Sequence, residues 1–232
     1  MKYINTFTIG SKKKYLMVNE KIESIKKTLP KGVELIAVSK TKPLEMIQQA
    51  MESGHLDFGE NKVQEMVHKH ASLPQNIRWH MIGHLQRNKV KYIAPFVYLI
   101  HGADSKKLLD EINKQGLKNN KTINCLLQFH IASESTKFGF SIEEIRDVID
   151  SKHYLNWGNI NIQGVMGMAT FTNDKNQIKA EFSLLKEYFE ELKPIFGENF
   201  KTLSMGMSGD YLEAISKGSN MIRIGSDIFG KR

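Results

Sequence analysis

Basic and small residues at the ends of apolar runs are where this sequence could do chemistry. Lys40 follows the run Val33-Glu34-Leu35-Ile36-Ala37-Val38-Ser39. In a strand, side chains alternate, so Lys40 shares a face with Val38, Ile36 and Glu34. A lysine at the mouth of an apolar barrel is partly stripped of water. That disfavours its ammonium form and makes the amine a usable nucleophile toward an aldehyde. The alternative is a loop lysine bent into solvent. Later come Ser204-Met205-Gly206-Met207-Ser208-Gly209-Asp210 and Arg223-Ile224-Gly225-Ser226. Small residues there let backbone N–H groups approach an anion such as phosphate, and a helix starting at that point adds its positive end. Ordinary turn chemistry at two helix starts also uses glycine and serine. Arg223 shares a strand face with Met221 and Gly225, opposite Ile222 and Ile224. Pointing inward, it sets a permanent cation beside a ligand or pairs with a strand carboxylate such as Glu34.

Other reactive types are less promising. His80 and His84 flank the end of an apolar run and His130 lies in another, but no HxH or HExxH spacing supports a metal site. His68 and His70 are expected on a solvated helix face. Cys125, the single cysteine, excludes an internal disulfide and reads as an inert core thiol. Trp79 and Trp157 read as packing anchors.

The elements that must position these residues alternate along the chain. Strands are predicted at Val33–Val38, Leu56–Phe58, Ile77–Ile82, Val97–Ile100, Ile123–Ile131, Ile160–Met168, Phe200–Ser204 and Met221–Ile224. Between them lie helices: one opened by Pro43 and stopped near Gly54, then Glu60–His70 and Leu85–Ile93. The next is capped by Asp104 or Ser105. Ser141–Ile149 follows, with a capping box at Ser141 and Glu144, then Asn176–Leu192, ending before Pro194, and Ser208–Lys217, capped by Ser208. A further helix, Lys12–Leu29, precedes the first strand. Strict alternation implies a parallel sheet, and eight units point to a closed (β/α)8 TIM barrel. Active sites in such barrels sit at the C-terminal ends of the strands, with phosphate held after strands seven and eight. Residues 1–232 are expected to form a single barrel domain, with 1–30 as an N-terminal extension and helix.

Composition fits that fold. The 232 residues are 41% hydrophobic and 25% charged, so a full core can form and disorder is excluded as the dominant state. No run is long and apolar enough to span a bilayer, and Met1 to Leu16 lacks the apolar region of a secretory signal. With one cysteine, a reduced cytoplasmic setting is expected. The net charge of +8 comes mostly from dispersed lysines, with one dense cluster at Lys12–Lys14. It suits solvated helix faces and an anionic small molecule; specific nucleic-acid binding has no motif behind it.

A set of segments carries a resemblance. Ala37-Val38-Ser39-Lys40-Thr41-Lys42-Pro43, Phe58-Gly59-Glu60-Asn61 and the stretch Trp79 to Lys89 resemble the YggS/PROSC family of pyridoxal 5′-phosphate (PLP) homeostasis proteins. So do Ser135-Thr136-Lys137-Phe138-Gly139, Gly164-Val165-Met166-Gly167-Met168, Ser204 to Ser208, and Arg223-Ile224-Gly225 with Ile228-Phe229-Gly230. These occur in order at fitting spacings from about residue 20 onward. The resemblance implies a barrel like the N-terminal domain of alanine racemase, with PLP as cofactor. It makes Lys40 the Schiff-base lysine and places Asn61 near the 3-hydroxyl side of the ring. Met207, Ser208, Gly225 and Ser226 would hold the phosphate, and Arg223 would face the pyridine nitrogen. Three positions depart from the family pattern. Lys62 stands where an aromatic residue is frequent, His84 replaces proline in Gly83-His84-Leu85-Gln86, and Gly209-Asp210 replaces paired aspartates.

The function this implies is intracellular PLP homeostasis without robust catalysis, with PLP-dependent apoenzymes as candidate recipients and a monomer or weak dimer as the expected state. The chain has no room for the second domain from which alanine racemase draws its opposing acid/base. A guanidinium at the pyridine nitrogen keeps it unprotonated and weakens the ring as an electron sink. The alternative is a PLP-dependent amino-acid racemase or lyase of low activity, with a residue such as His84 as second base.

Overall fold

The computed structural model describes residues 8–134 and 138–230. Parallel strands β1 (Glu34–Val38), β2 (Asp57–Glu60), β3 (Arg78–Met81), β4 (Leu99–Ala103), β5 (Ile123–Gln128), β6 (Ile160–Met166), β7 (Thr202–Ser204) and β8 (Met221–Ile224) follow one another around a closed barrel. Closure comes from β8 pairing with β1, in a register that sets Ile36 beside Arg223. Outside lie α1 (Thr8–Thr28), α2 (Leu44–Glu52), α3 (Val63–Ser72), α4 (Val90–Ile93), α5 (Lys106–Lys118), α6 (Ile142–Asp150), α7 (Lys175–Phe196), α8 (Tyr211–Ser216) and α9 (Ser226–Phe229).

Side-chain alternation divides the strands into two cores. Ile36, Leu99, Leu126, Met166 and Met221 pack inside the barrel. Their strand neighbours, including Ala37, Ile100, Leu127, Val165 and Ile222, face the helices in a much larger core. Burial of Trp79 and Trp157 places both as packing residues, and the Trp157 indole N–H donates to Asp110 at 2.8 Å. Cys125 is fully buried, and burial pushes its thiol pKa well up, away from reactivity.

Local chemistry sets several ends as expected. Ser105 caps α5 by accepting from the Leu108 N–H, and Ser141 with Glu144 forms the complete capping box of α6. Other boundaries move, each for a physical reason. α7 runs through Pro194 instead of stopping before it. Proline there lies in the final turn, where it deletes one backbone bond, and Phe196 stacks on Phe200 at 5.3 Å and holds that turn in place. The expected helix from Leu85 shrinks to a 3-10 turn, Arg87–Lys89, and α4. Leu85 is buried and Gln86 is extended, so the chain is pinned in an extended form before it coils. Glu60 ends β2 instead of starting a helix, because its carboxylate is buried against Lys69 of α3. Strand β4 continues to Ala103, which brings His101 into the barrel wall. Ser208 does not cap α8; Asp210 occupies that position. His68 is exposed, but His70 stacks on Phe96 at 3.8 Å instead of standing in solvent. Residues 135–137 of the Ser135–Gly139 segment lie outside the described residues.

Candidate functional site

A cavity of about 590 Å³ opens at the C-terminal ends of the strands, within the size range of small-molecule sites. It gathers all seven residues singled out in the sequence: Lys40, Asn61, Met207, Ser208, Arg223, Gly225 and Ser226. Lys62, which stands where the family frequently has an aromatic residue, is not among the lining residues; it is the exposed residue before α3.

Lys40 is half-buried in a tight turn after β1. Its neighbours are held firmly from behind. Ser39 N–H donates to Gly59 carbonyl at 3.0 Å, and its hydroxyl donates to Glu60 Oε1 at 2.6 Å. Thr41, in the left-handed region at φ 63, donates its N–H to Glu65 Oε1 at 2.5 Å. Lys69, 3% exposed, uses its three ammonium protons on Ser39 carbonyl (2.8 Å), Glu60 Oε1 (2.7 Å) and Glu65 Oε1 (2.7 Å). Burial raises the Glu60 carboxyl pKa above its usual range, and Lys69 and Ser39 oppose that rise. Lys42 reaches across to the Gly230 carbonyl at 2.8 Å, tying the first loop to the end of α9.

Asn61 follows β2 on the cavity side. Gly83 passes so close that a Cβ there would stand 2.4 Å from the Asn61 carbonyl oxygen, so only glycine fits. His84 sits on the rim, its Nδ1 2.8 Å from Asp104 Oδ2 and its ring stacked on Phe138 at 3.9 Å.

The loops after β7 and β8 meet at the cavity. Ser208 Oγ accepts from the Gly225 N–H at 3.4 Å. Met207 N–H donates to Asp210 Oδ1 at 2.6 Å, so the aspartate retained at this position holds the turn although Gly209 has replaced its partner. Helices α8 and α9 have six and four residues. Their macrodipoles are correspondingly weak, so donors here are individual N–H and hydroxyl groups. A Cβ on Gly225 would press within 3.3 Å of Val38 Cβ, which keeps this edge of the cavity narrow and backbone-lined.

Arg223 is 3% exposed and lines the same cavity. It donates to Ser204 Oγ at 2.6 Å and to Gly167 carbonyl at 3.1 Å. Glu34 is not its partner; that residue is exposed at the other end of β1. Burial pushes the Arg223 guanidinium down to about 10, with Asp210 opposing, so it remains a cation at neutral pH.

His80, His84 and His130 do not converge. His80 lies in the barrel interior, His84 on the rim, and His130 beyond β5, where Nε2 is 2.8 Å from Glu134 carbonyl. Among the described residues no group of three or more metal-ligating side chains is assembled. Nor is any described helix long and apolar enough to cross a membrane.

Several lining residues escaped sequence reasoning. Gln128, Met168, Phe138 and the 98%-exposed Phe171 complete the walls. Gln128 ends β5 on the same inward alternation as Leu126, a signal hidden by a strand predicted three residues too long. Lys69 carries no mark in the sequence, and its burial is visible only in three dimensions.

Residues 17–232 match the family described as alanine racemase, N-terminal domain. A pyridoxal phosphate homeostasis protein of Pasteurella multocida is 39% identical over 205 residues, covering 87% of each chain. One of Aquifex aeolicus is 36% identical over 200 residues, covering 86% of this chain and 87% of the other. PipY of Synechococcus elongatus has a similar structure at 30% identity, covering 92% of this chain and all of the other. Its TM-score is 0.86 without PLP and 0.83 with PLP bound. The fold, the spacing of the motifs and these likenesses agree: the chain belongs to the family of pyridoxal phosphate homeostasis proteins, built on the alanine racemase N-terminal domain.

Proposed function

We propose that this protein binds pyridoxal 5′-phosphate through Lys40 as a Schiff base and serves intracellular PLP homeostasis as a single barrel unit in the cytoplasm. The observation that carries this reading is the convergence of Lys40, the Ser208/Gly225/Ser226 edge and the buried Arg223 cation on one cavity. The donor set suits the cofactor: an amine for its aldehyde, hydroxyl and backbone donors for its phosphate, and a guanidinium for its ring nitrogen. The related PipY has a structure with PLP bound, which supports PLP as the ligand.

Roles follow residue by residue. Lys40 anchors the aldehyde carbon, and its turn is immobilised from behind by Lys69, Glu60 and Glu65. Ser208 and Ser226 offer hydroxyls to the phosphate. Gly225 allows the backbone to approach it. The Met207 N–H is occupied by Asp210, so Met207 contributes as wall. Asn61 borders the 3-hydroxyl side of the ring. When bound, PLP supplies an electron sink for carbanions at an amino-acid Cα. Arg223 works against that use, since a cationic donor keeps the pyridine nitrogen unprotonated. The site thus favours holding the cofactor over turning substrate over, and PLP-dependent apoenzymes are the fitting recipients.

Borohydride reduction after incubation with PLP, followed by peptide mapping, tests this directly. The pyridoxyl group is expected on Lys40; its absence from that residue refutes the assignment. Incubation with single amino-acid enantiomers in heavy water separates the alternative of a weak racemase or lyase. Solvent deuterium at Cα with turnover would establish it, with the rim residue His84 as the candidate second base.

A further inference from the structure

The barrel axis contains a polar line that the proposed binding role does not use. From Arg223 it runs away from the cavity. Arg223 donates to Ser204 Oγ at 2.6 Å, and Ser204 Oγ lies 3.2 Å from His101 Nδ1. His101 Nε2 lies 3.0 Å from His80 Nδ1, and His80 Nε2 lies 3.2 Å from Asp57 Oδ1. Asp57 is paired with Arg78 through two hydrogen bonds. Ser204, His80 and His101 are each completely buried. Asp57 and Arg78 line a second cavity, at the N-terminal ends of the strands. The line thus joins opposite ends of the barrel.

With both imidazoles neutral, the carboxylate end fixes the direction of every hydrogen bond in the line, and the guanidinium end agrees with it. A guanidinium can only donate, so the Ser204 oxygen accepts from Arg223 and leaves its own proton for His101 Nδ1. His101 must then carry its proton on Nε2 and donate it to His80 Nδ1. His80 in turn carries its proton on Nε2 and gives it to Asp57. A carboxylate can only accept, and Asp57 is kept ionised, its pKa far below the usual range because His80 and Arg78 donate to it and outweigh its burial. Burial, first of all, together with the Arg223 cation, holds His101 neutral. With both rings neutral, no other pair of tautomers satisfies all the partners, and a buried unsatisfied donor or acceptor is costly.

We propose that Ser204, His101, His80 and Asp57 form a one-way hydrogen-bonded relay that positions Arg223, so that the carboxylate at the far end of the barrel sets how the guanidinium presents itself to the cofactor site. His101, His80 and Asp57 are positioning residues, as the lining of the Arg223 cavity includes none of them. The inference rests on the assignment of PLP to the Arg223 cavity, but its first test does not need the cofactor.

Histidine-selective ¹⁵N NMR of the protein without PLP, assigned through bonds, reads the tautomers. Both His80 and His101 are expected as neutral Nε2–H forms at pH 7. A neutral Nδ1–H form or an imidazolium at either position overturns the relay. A second test follows PLP by absorbance. His101→Phe cuts the line and is expected to weaken PLP about tenfold, the scale of one charge-assisted hydrogen bond, and to shift the absorption of the bound cofactor. Asp57→Asn, which lets the terminal donor flip, should shift the spectrum in the same sense. Arg78→Gln leaves the Asp57 carboxylate in place and should leave the spectrum unchanged. Wild-type affinity and spectrum in both His101→Phe and Asp57→Asn would refute the positioning role. Failure of the wild-type protein to bind PLP would instead refute the assignment of the cofactor. If His101→Phe does not fold, the tautomers and the Asp57→Asn spectrum decide.

Discussion

Replacing Lys69 with methionine removes a cation that has no access to water and three acceptors around it. The ammonium is hydrogen-bonded to Ser39 carbonyl and to Glu60 and Glu65. Glu60 is completely buried, with its second oxygen already lacking a partner. Breaking a buried ion pair by deleting one partner costs about 3–5 kcal/mol, a large share of the roughly 5–15 kcal/mol that holds a domain together. The loss depends on pH. Burial raises the Glu60 carboxyl, and Lys69 is the first group opposing it, so the variant carboxyl rises further. A carboxyl with a raised folded pKa favours the fold while both states are protonated. That advantage disappears as pH rises through the folded value. The penalty of Lys69→Met therefore grows with pH above the ordinary carboxylate range. Between pH 5 and pH 7 it can grow by at most about 2.7 kcal/mol, at roughly 1.4 kcal/mol per pH unit. Urea unfolding followed by circular dichroism at pH 5 and pH 7 measures this. Adding Glu60→Gln should recover part of the loss at pH 7. A loss below about 1 kcal/mol at pH 7, or one equal at both pH values, would refute the argument that Lys69 neutralises a buried carboxylate.

Three further outcomes are expected. Lys40→Ala should abolish the Schiff-base absorbance while leaving the thermal midpoint within a few degrees of wild type, because the side chain is half-buried and the turn is held by its neighbours; a retained absorbance would move the anchor to another lysine. Ser208→Ala should weaken PLP by about 1 kcal/mol, roughly fivefold, as judged by fluorescence titration, and unchanged affinity would remove Ser208 from the phosphate edge. Gly83→Ala forces the Asn61 backbone to move and should cost about 1–3 kcal/mol in denaturant stability together with a loss of PLP affinity; an unaltered variant would show that this contact is slack.

Strand and helix alternation made the barrel legible, because each strand is a short apolar run and each helix a longer amphipathic one. The site was legible where its residues sit next to a strand end in the sequence. Lys40, Ser208 and Arg223 are of that kind, and alternation put Arg223 on one face with Met221, a face the structure turns inward. Residues that act through distant partners were not legible. His101 fell beyond the predicted end of a strand, and its meaning depends on Ser204 and His80, which belong to other strands. Lys69 looks like any helix lysine until α3 packs it behind the first loop. Pro194 misled for the opposite reason: its local rule holds, but tertiary stacking of Phe196 overrides it in the last turn.

The hydrogen bond from Lys42 to the Gly230 carbonyl has a consequence for the order of events during synthesis. The loop bearing Lys40 and Lys42 is translated well before the edge that meets it, from Met207 to Gly230. Until β8 docks beside β1, the barrel is open and the far wall of the pocket does not exist. Until then a nascent chain holds one wall of the pocket without the other, and under the proposed role a bound ligand stabilises only completed barrels.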